Sequence, residues 1–294
     1  MLNSISNIFY KGYEQLLTRE IQNGPVPEHV AIIMDGNRRY AKIAGKLTTY
    51  GHIKGADMTE KVIEWSYEIG LKELTIYAFS TENFDRPDEE KNKLFDLIRL
   101  RFESMCEDER THERRLKVRV IGDRTHLPED LRRSISRIET ATKNYDRFNL
   151  NVAIAYGGRQ DLVQAVKEIA NKVITDEIQP DDINESTISE HLYPSEGCAV
   201  PNVDLIIRTG GNERVSNFLP WQASGNECAA YFCAPFWPDF RRIDLLRSIR
   251  VYQRRMTEKK KKNYHRTTRS LKEIRKTDVD NIKNCTQRIM KSNE

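Results

Sequence analysis

The chain has 294 residues, 31% of them charged, and a net charge of +4 at pH 7. No apolar run approaches the roughly 20 residues of a membrane-spanning helix, and the N-terminus lacks the basic and apolar stretches of a secretory signal. The five scattered cysteines fit neither a disulfide framework nor a zinc site, so we expect a cytoplasmic protein.

Apolar residues recur at roughly helical spacing in residues 1–24, which we treat as an amphipathic N-terminal segment: Leu2, Ile5, Phe9, Tyr13, Leu16 and Leu17. Such a stripe either packs on a core or lies on a membrane surface. We favour packing, because stripes of this kind usually face a core.

Residues 25–256 are predicted to form the main domain, with six apolar runs as candidate strands. These are His29–Asp35, Glu73–Phe79, Leu116–Gly122, Phe148–Tyr156, Val203–Thr209 and Ala230–Phe236. Several are rich in Val and Ile throughout, as is typical of parallel strands covered on both faces. Helical spacing in Asp57–Ile69 and Asp161–Val173, and a helix start at Pro87, fall between them. The predicted fold is a single α/β domain with a mostly parallel six-stranded sheet flanked by helices, plus a basic C-terminal tail.

Residues 257–294 form this basic tail, a solvated helix or partly disordered segment. Residues 241–294 carry 18 Lys and Arg against 6 Asp and Glu, a net charge of +12, which leaves −8 for the rest of the chain. Contact between the tail and an anionic membrane surface is a separate hypothesis. We predict no nucleic-acid partner, because the basic residues lack an aromatic platform or a known binding motif.

Ligands of parallel sheets bind beyond the carboxyl ends of the strands, which directs attention to Asp35, Ser80, Tyr156 and Arg208. After the first strand, Asp35 and Gly36 precede Asn37 and two arginines at a predicted helix start. This pattern favours a diphosphate with Mg²⁺. The alternative is a structural turn in which Asp35 or Asn37 caps the helix.

Two further segments follow later strands. Ser80, Asn83 and Arg86 lie just past the second strand, where they either meet the first loop or form a helix cap with a surface arginine. In the third segment, Arg208, Arg214 and Ser216 surround a double glycine, which resembles a second anion site. Two anion sites on one sheet edge imply two phosphorylated substrates or one extended substrate.

Seven segments in family order, over about residues 25–245, resemble the signature blocks of the cis-prenyltransferases, the undecaprenyl and dehydrodolichyl diphosphate synthases. They are HVAIIMDGNRRYA, GH, YAFSTENFDRP, VRVIGD, NVAIAYGGRQDLVQA, VDLIIRTGGNERVSNFLPWQ and FWPDF.

The resemblance implies a role for each matching residue. Asp35 would hold Mg²⁺ on the allylic diphosphate, and Asn83 and His52 would join it as catalytic residues. The implied substrate-binding residues are Gly36, Asn37, Arg38, Arg39, Ser80 and Arg86 for the allylic region, and Arg208, Arg214 and Ser216 for isopentenyl diphosphate. A glutamate that binds metal in bacterial members corresponds to Glu227.

The implied function is condensation of an allylic prenyl diphosphate with isopentenyl diphosphate to give a cis-prenyl diphosphate. Prenyl transfer to another acceptor, such as an alcohol, is one alternative. A catalytic subunit of a heteromeric synthase is another, beside the expected homodimer. Both alternatives arise from departures from the family pattern: Thr48 replaces an arginine, Asn212 replaces an acid, two extra residues follow Glu227, and the C-terminal Arg-x-Gly element is missing.

Overall fold

The computed structural model describes residues 2–194, 199–223, 228–262 and 276, with side chains from Tyr10 onward. The chain forms two compact units, Met1–Val251 and Tyr252–Glu294. In the second unit, residues 252–262 are helical. Apart from Lys276, the tail beyond residue 262 lies outside the described residues.

A six-stranded parallel sheet forms the centre of the first unit, as predicted. Its strands are β1 (His29–Ile33), β2 (Glu73–Ser80), β3 (Leu116–Ile121), β4 (Phe148–Tyr156), β5 (Leu205–Arg208) and β6 (Ala229–Phe232). They lie in the order β3-β4-β2-β1-β5-β6. In the register of the central strands, Ile33 pairs with Tyr77 of β2 on one side and with Arg208 of β5 on the other. The residues that follow β1 therefore lie between the ends of β2 and β5.

Helices flank this sheet. They are α1 (Leu2–Gln22), α2 (Asn37–Ile43), α3 (Thr48–Ile69), α4 (Asp88–Glu107), α5 (Glu109–Glu113), α6 (Glu129–Thr142), α7 (Gly158–Ile174) and α8 (Glu185–His191), and residues 242–251 are also helical. Pro87 and the acids after it begin α4, as the sequence predicts. Within the described part of the chain, none of the helices has the length and apolarity to cross a membrane.

Side chains of alternate residues in the central strands serve different purposes on the two faces of the sheet. On one face, Ala31, Ile33 and Ala153 belong to a buried apolar cluster with Phe218 and Leu219. On the other face, side chains such as those of Ile76, Leu150 and Val152 line a cavity that also has walls from α3 and α4.

The N-terminal helix α1 packs on the first unit. Leu17 and Ile21 are buried, with 1% and 2% of their surface exposed, whereas Leu16 is 65% exposed. Arg242 and Arg250 pair with Glu14 and Glu20 of this helix. The packing alternative for the apolar stripe therefore describes its buried edge.

Candidate active site

A cavity of about 1230 Å³ opens at the carboxyl ends of β1, β2 and β5. Polar residues that the sequence singles out line its mouth: Asp35, Gly36, Asn37, Arg38, Arg39, His52, Ser80, Asn83, Arg86, Arg208, Arg214 and Ser216. Its interior lies between the sheet and helices α3 and α4, and apolar side chains such as Leu94, Leu97 and Phe102 line it. The structure thus brings together the three segments that follow three different strands.

The Asp35 carboxylate is the centre of the mouth. Its Oδ1 accepts a hydrogen bond from Arg39 Nη2 at 2.8 Å. Its Oδ2 accepts from Arg208 Nη2 at 2.9 Å and from Asn212 Nδ2 at 2.8 Å. The two predicted anion-binding segments therefore meet on one carboxylate, with an amide donor from Asn212 where bacterial members of the resembled family carry an acid.

Arg208 is held from its own loop. Its side chain is buried, and Nη1 donates to the backbone oxygen of Arg214 at 2.7 Å and to Ser216 Oγ at 2.8 Å. Ser216 adopts a positive φ of 54°, a conformation that costs energy for a residue with a Cβ. The loop thus holds the guanidinium at the end of β5 in a fixed orientation.

Glycines allow the backbone segments at the mouth to approach closely. Gly36 has a φ of 117°, and a Cβ there would lie 2.7 Å from the Phe236 ring. A Cβ at Gly51 or Gly55 would clash with the backbone or side chain of Asn37. These contacts let α3 lie directly against the start of α2, and this brings His52 to the cavity.

Glu90, which the sequence analysis passes over except as part of a helix start, joins three cationic side chains. Its Oε1 lies 3.2 Å from His52 Nε2, 3.3 Å from Arg86 Nη1 and 3.6 Å from Arg38 Nε. Only 10% of its side chain is exposed. The interpretation of Arg86 as a satisfied surface arginine is therefore wrong, because the guanidinium lines the cavity and pairs with a mostly buried acid.

Ser80 and Asn83 combine the two roles that the sequence leaves open. Asn83 Oδ1 accepts a hydrogen bond from the backbone amide of Ser80 at 3.2 Å and caps the 3₁₀ turn Thr81–Asp85. Both residues also line the cavity. Tyr156 differs: it ends β4, but it is buried and its hydroxyl donates to Asp161 Oδ2 at 3.0 Å, away from the mouth.

Comparison with known proteins identifies the family. A family model described as "Putative undecaprenyl diphosphate synthase" matches residues 33–260. The chain belongs to this family. The predicted resemblance is confirmed, and so is the prediction of a prenyltransferase that condenses an allylic diphosphate with isopentenyl diphosphate.

Curated relatives of this cis-prenyltransferase match over most of their length. A protein of Methanosarcina mazei is 60% identical over 269 residues, 92% of this chain and 90% of the relative. One of Archaeoglobus fulgidus is 50% identical over 248 residues, 84% of this chain and 97% of the relative. Both are named tritrans,polycis-undecaprenyl-diphosphate synthase (geranylgeranyl-diphosphate specific).

Two solved structures share the fold. Lavandulyl diphosphate synthase from Lavandula x intermedia, in complex with dimethylallyl diphosphate, has a TM-score of 0.72 and 35% identity. A probable undecaprenyl diphosphate synthase from Campylobacter jejuni has a TM-score of 0.62 and 29% identity. Each alignment covers 78% of this chain and 95% of the other.

Charge states at the mouth of this cis-prenyltransferase follow from burial and hydrogen bonding. Burial raises the pKa of Asp35, but hydrogen bonds from Asn212, Arg208 and Arg39 together hold it below its ordinary value. Burial lowers the pKa of His52, against the opposing effect of its bond to Glu90. At neutral pH the mouth therefore presents a carboxylate among arginines, beside a neutral imidazole.

The donor set fits a magnesium ion that arrives with its diphosphate. Among the side chains that the structure describes, no group of three or more His, Cys, Asp or Glu is arranged to hold a metal. Asp35 is thus a single carboxylate, which suits Mg²⁺ when substrate phosphates and water supply the other ligands. Glu227, the second predicted metal ligand, lies outside the described residues.

Proposed function

We propose that this protein extends geranylgeranyl diphosphate by repeated cis condensation with isopentenyl diphosphate to give a long polyprenyl diphosphate. The observation that carries the proposal is the pair of cationic clusters, joined at Asp35, at the mouth of a cavity with an apolar interior. Such a cavity suits a molecule with a charged head and a long hydrocarbon tail. The substrate named for the curated relatives has this form.

The allylic diphosphate is assigned to the side of α2 and α4. Arg38, Arg39 and Arg86 supply cationic donors there, with His52 and Asn37 beside them. Bound to Asp35, Mg²⁺ would stabilise the negative charge of the departing diphosphate. Asn37 Oδ1 is a buried atom without a hydrogen-bond partner, so this segment retains polar capacity for a ligand.

Isopentenyl diphosphate is assigned to Arg208, Arg214 and Ser216 on the β5 side. Because Arg208 also contacts Asp35, the two diphosphates would bind next to each other, with the acceptor's double bond beside the allylic carbon. Catalysis would then consist mainly of positioning and charge stabilisation. Ser80 and Asn83, fixed by their mutual cap, would orient the reacting carbons and the leaving group.

The decisive experiment supplies the full chain with an allylic diphosphate, radiolabelled isopentenyl diphosphate and Mg²⁺. We expect label in polyprenyl products with the wild type, and neither incorporation nor diphosphate release without Mg²⁺ or in Asp35→Ala. Full activity of Asp35→Ala would contradict the assignment of Asp35. Diphosphate release without incorporation of label would indicate transfer to a different acceptor, such as an alcohol.

We also propose a homodimer, active in the cytoplasm and in peripheral contact with the membrane through the basic tail. The division into an N-terminal segment (1–24), a catalytic domain (25–256) and a tail (257–294) accompanies this proposal. The charge of residues 241–294 supports attraction to anionic lipids. The mass in solution, measured together with the activity of the protein alone, tests the homodimer against dependence on a partner subunit.

A further inference from the structure

Arg101 of α4 connects the two helices that form the outer wall of the cavity. Its Nη2 donates to Asp57 Oδ1 of α3 at 2.6 Å, and its Nη1 donates to Glu60 Oε1, one turn further along α3. We call these three residues the α3–α4 tie. The side chains are partly exposed, with 32%, 39% and 51% of the surface of Arg101, Asp57 and Glu60 accessible.

The tie lies well inside the cavity, away from the diphosphate end. At about 1.5 Å per residue, Glu60 lies roughly 12 Å along α3 from His52, and Arg101 roughly 16 Å along α4 from Glu90. His52 and Glu90 bond to each other at the mouth, so the same two helices are joined at two levels. Both Glu60 and Arg101 line the cavity.

Apolar side chains surround the tie on the cavity side. Between the two levels the wall includes Ala56, Leu94 and Leu97, and beyond the tie it includes Ile63 and Met105. A hydrocarbon chain gains nothing from ionic groups in such a wall. Partly exposed ion pairs also contribute little to stability, so general stabilisation is a weak explanation for the tie.

The dimensions of a prenyl chain relate the tie to the reaction. An isoprene unit adds four backbone bonds of about 1.5 Å, or roughly 5 Å when extended. A chain of four units thus reaches past the tie, and every further unit must enter the part of the cavity beyond it.

We propose that the α3–α4 tie determines the length of the product by closing the side wall of the cavity. With the tie intact, the growing chain is confined between the sheet and the two helices, and elongation stops when this space is filled. Without it, the chain end can pass outward between α3 and α4, and elongation continues. This inference rests on the proposed function, because a product length exists only where isopentenyl units are added repeatedly.

The test compares matched arginine variants of the full chain. Arg101→Met removes the charge but keeps an apolar stem, and Glu60→Gln weakens the tie from the other helix. Arg99→Met is the control: Arg99 lies two residues away and pairs with Glu103 and Asp130, and it does not line this cavity. The product-length distribution and the rate of the first condensation are measured for each protein.

We expect Arg101→Met and Glu60→Gln to shift the main product to greater length by one or more isoprene units, with an unchanged rate of the first condensation. Arg99→Met should give the wild-type distribution. Arg101→Glu alone should also lengthen the product, and its combination with Glu60→Arg should shift the distribution back toward wild type.

An unchanged distribution in Arg101→Met, or an equal shift in Arg99→Met, would overturn the role of the tie. A wild-type protein that incorporates no isopentenyl diphosphate would overturn the proposed function as well. The two failures are distinguishable, because only the second affects the wild type.

Discussion

At the scale of single residues, Gly36 is subject to two independent constraints. Its φ of 117° strains any residue with a Cβ, and that Cβ would lie 2.7 Å from the Phe236 ring. We expect Gly36→Ala to lower the free energy of unfolding by about 1–3 kcal/mol from the backbone alone. The clash would also displace Asp35, so prenyl transfer should fall by more than the loss of folded protein explains.

Gly45→Ala is the matched control for this prediction. Gly45 also has a positive φ, of 64°, but nothing lies within 4 Å of a Cβ placed there. Denaturant titration and activity per folded molecule should show a comparable backbone cost and no specific loss of activity. Equal activity in the two variants would show that the approach of Phe236 to Gly36 has no role in positioning the loop.

A buried carboxyl outside the cavity makes stability depend on pH. Burial raises the pKa of Asp161 to about 6, although Tyr156 and the amide of Tyr193 donate hydrogen bonds to it. Its contribution to stability is complete below the ordinary value of 3.8 and is lost as the pH rises through about 6. Relative to wild type, Asp161→Asn should therefore gain up to about 3 kcal/mol between pH 4 and pH 7.

Denaturant titrations at several pH values measure this difference. Asp181→Asn, at an exposed position, serves as the control and should follow the wild type at each pH. A difference between Asp161→Asn and wild type that stays constant with pH would contradict the raised pKa.

The sequence predicts the residues at the mouth better than their contacts. Asp35 and Arg208 could be located because each follows an apolar strand in a parallel sheet. Glu90 lies in an acidic first turn that a helix start explains equally well, and only the tertiary approach of α2 and α3 surrounds it with cations. The donor role of Asn212 likewise depends on how a loop folds back 177 residues away in sequence.

At the scale of elements, α1 offers a test of packing against membrane contact. Leu17 is buried at 1% exposure, and we expect Leu17→Ala to lower the free energy of unfolding by about 2–4 kcal/mol. Leu16→Ala, at 65% exposure, should change it little. Equal small effects in both variants, measured by chemical denaturation, would show that α1 is not part of the folded unit.

Strands and helices differ in how well the sequence predicts them. The bounds of β4 agree in full with the predicted run Phe148–Tyr156, because a doubly covered strand is apolar along its whole length. Helix α3 begins at Thr48, nine residues before its apolar stripe, since its first turns face Asn37 through the glycines Gly51 and Gly55. Glycine contacts of this kind carry no periodicity.

At the scale of the whole molecule, the uneven charge predicts a salt-dependent affinity for anionic lipids. We expect the full chain to sediment with anionic vesicles at low salt and to dissociate as salt is raised, because screening weakens exposed charge interactions. Deletion of residues 257–294 should abolish the binding, and neutral vesicles provide the control. Binding that survives the deletion would assign membrane contact to another surface.

The bond between Arg208 and Asp35 joins residues 173 positions apart, and both lie beside the central strand β1. Such long-range pairings form slowly, because the entropy of closing a long loop is lost before the contacts are gained. The anion site therefore does not exist in any partly folded chain that lacks the β1–β5 pairing. Binding of a diphosphate would report the completion of folding, and a nascent chain would acquire affinity for its substrate only after β5 has been synthesised.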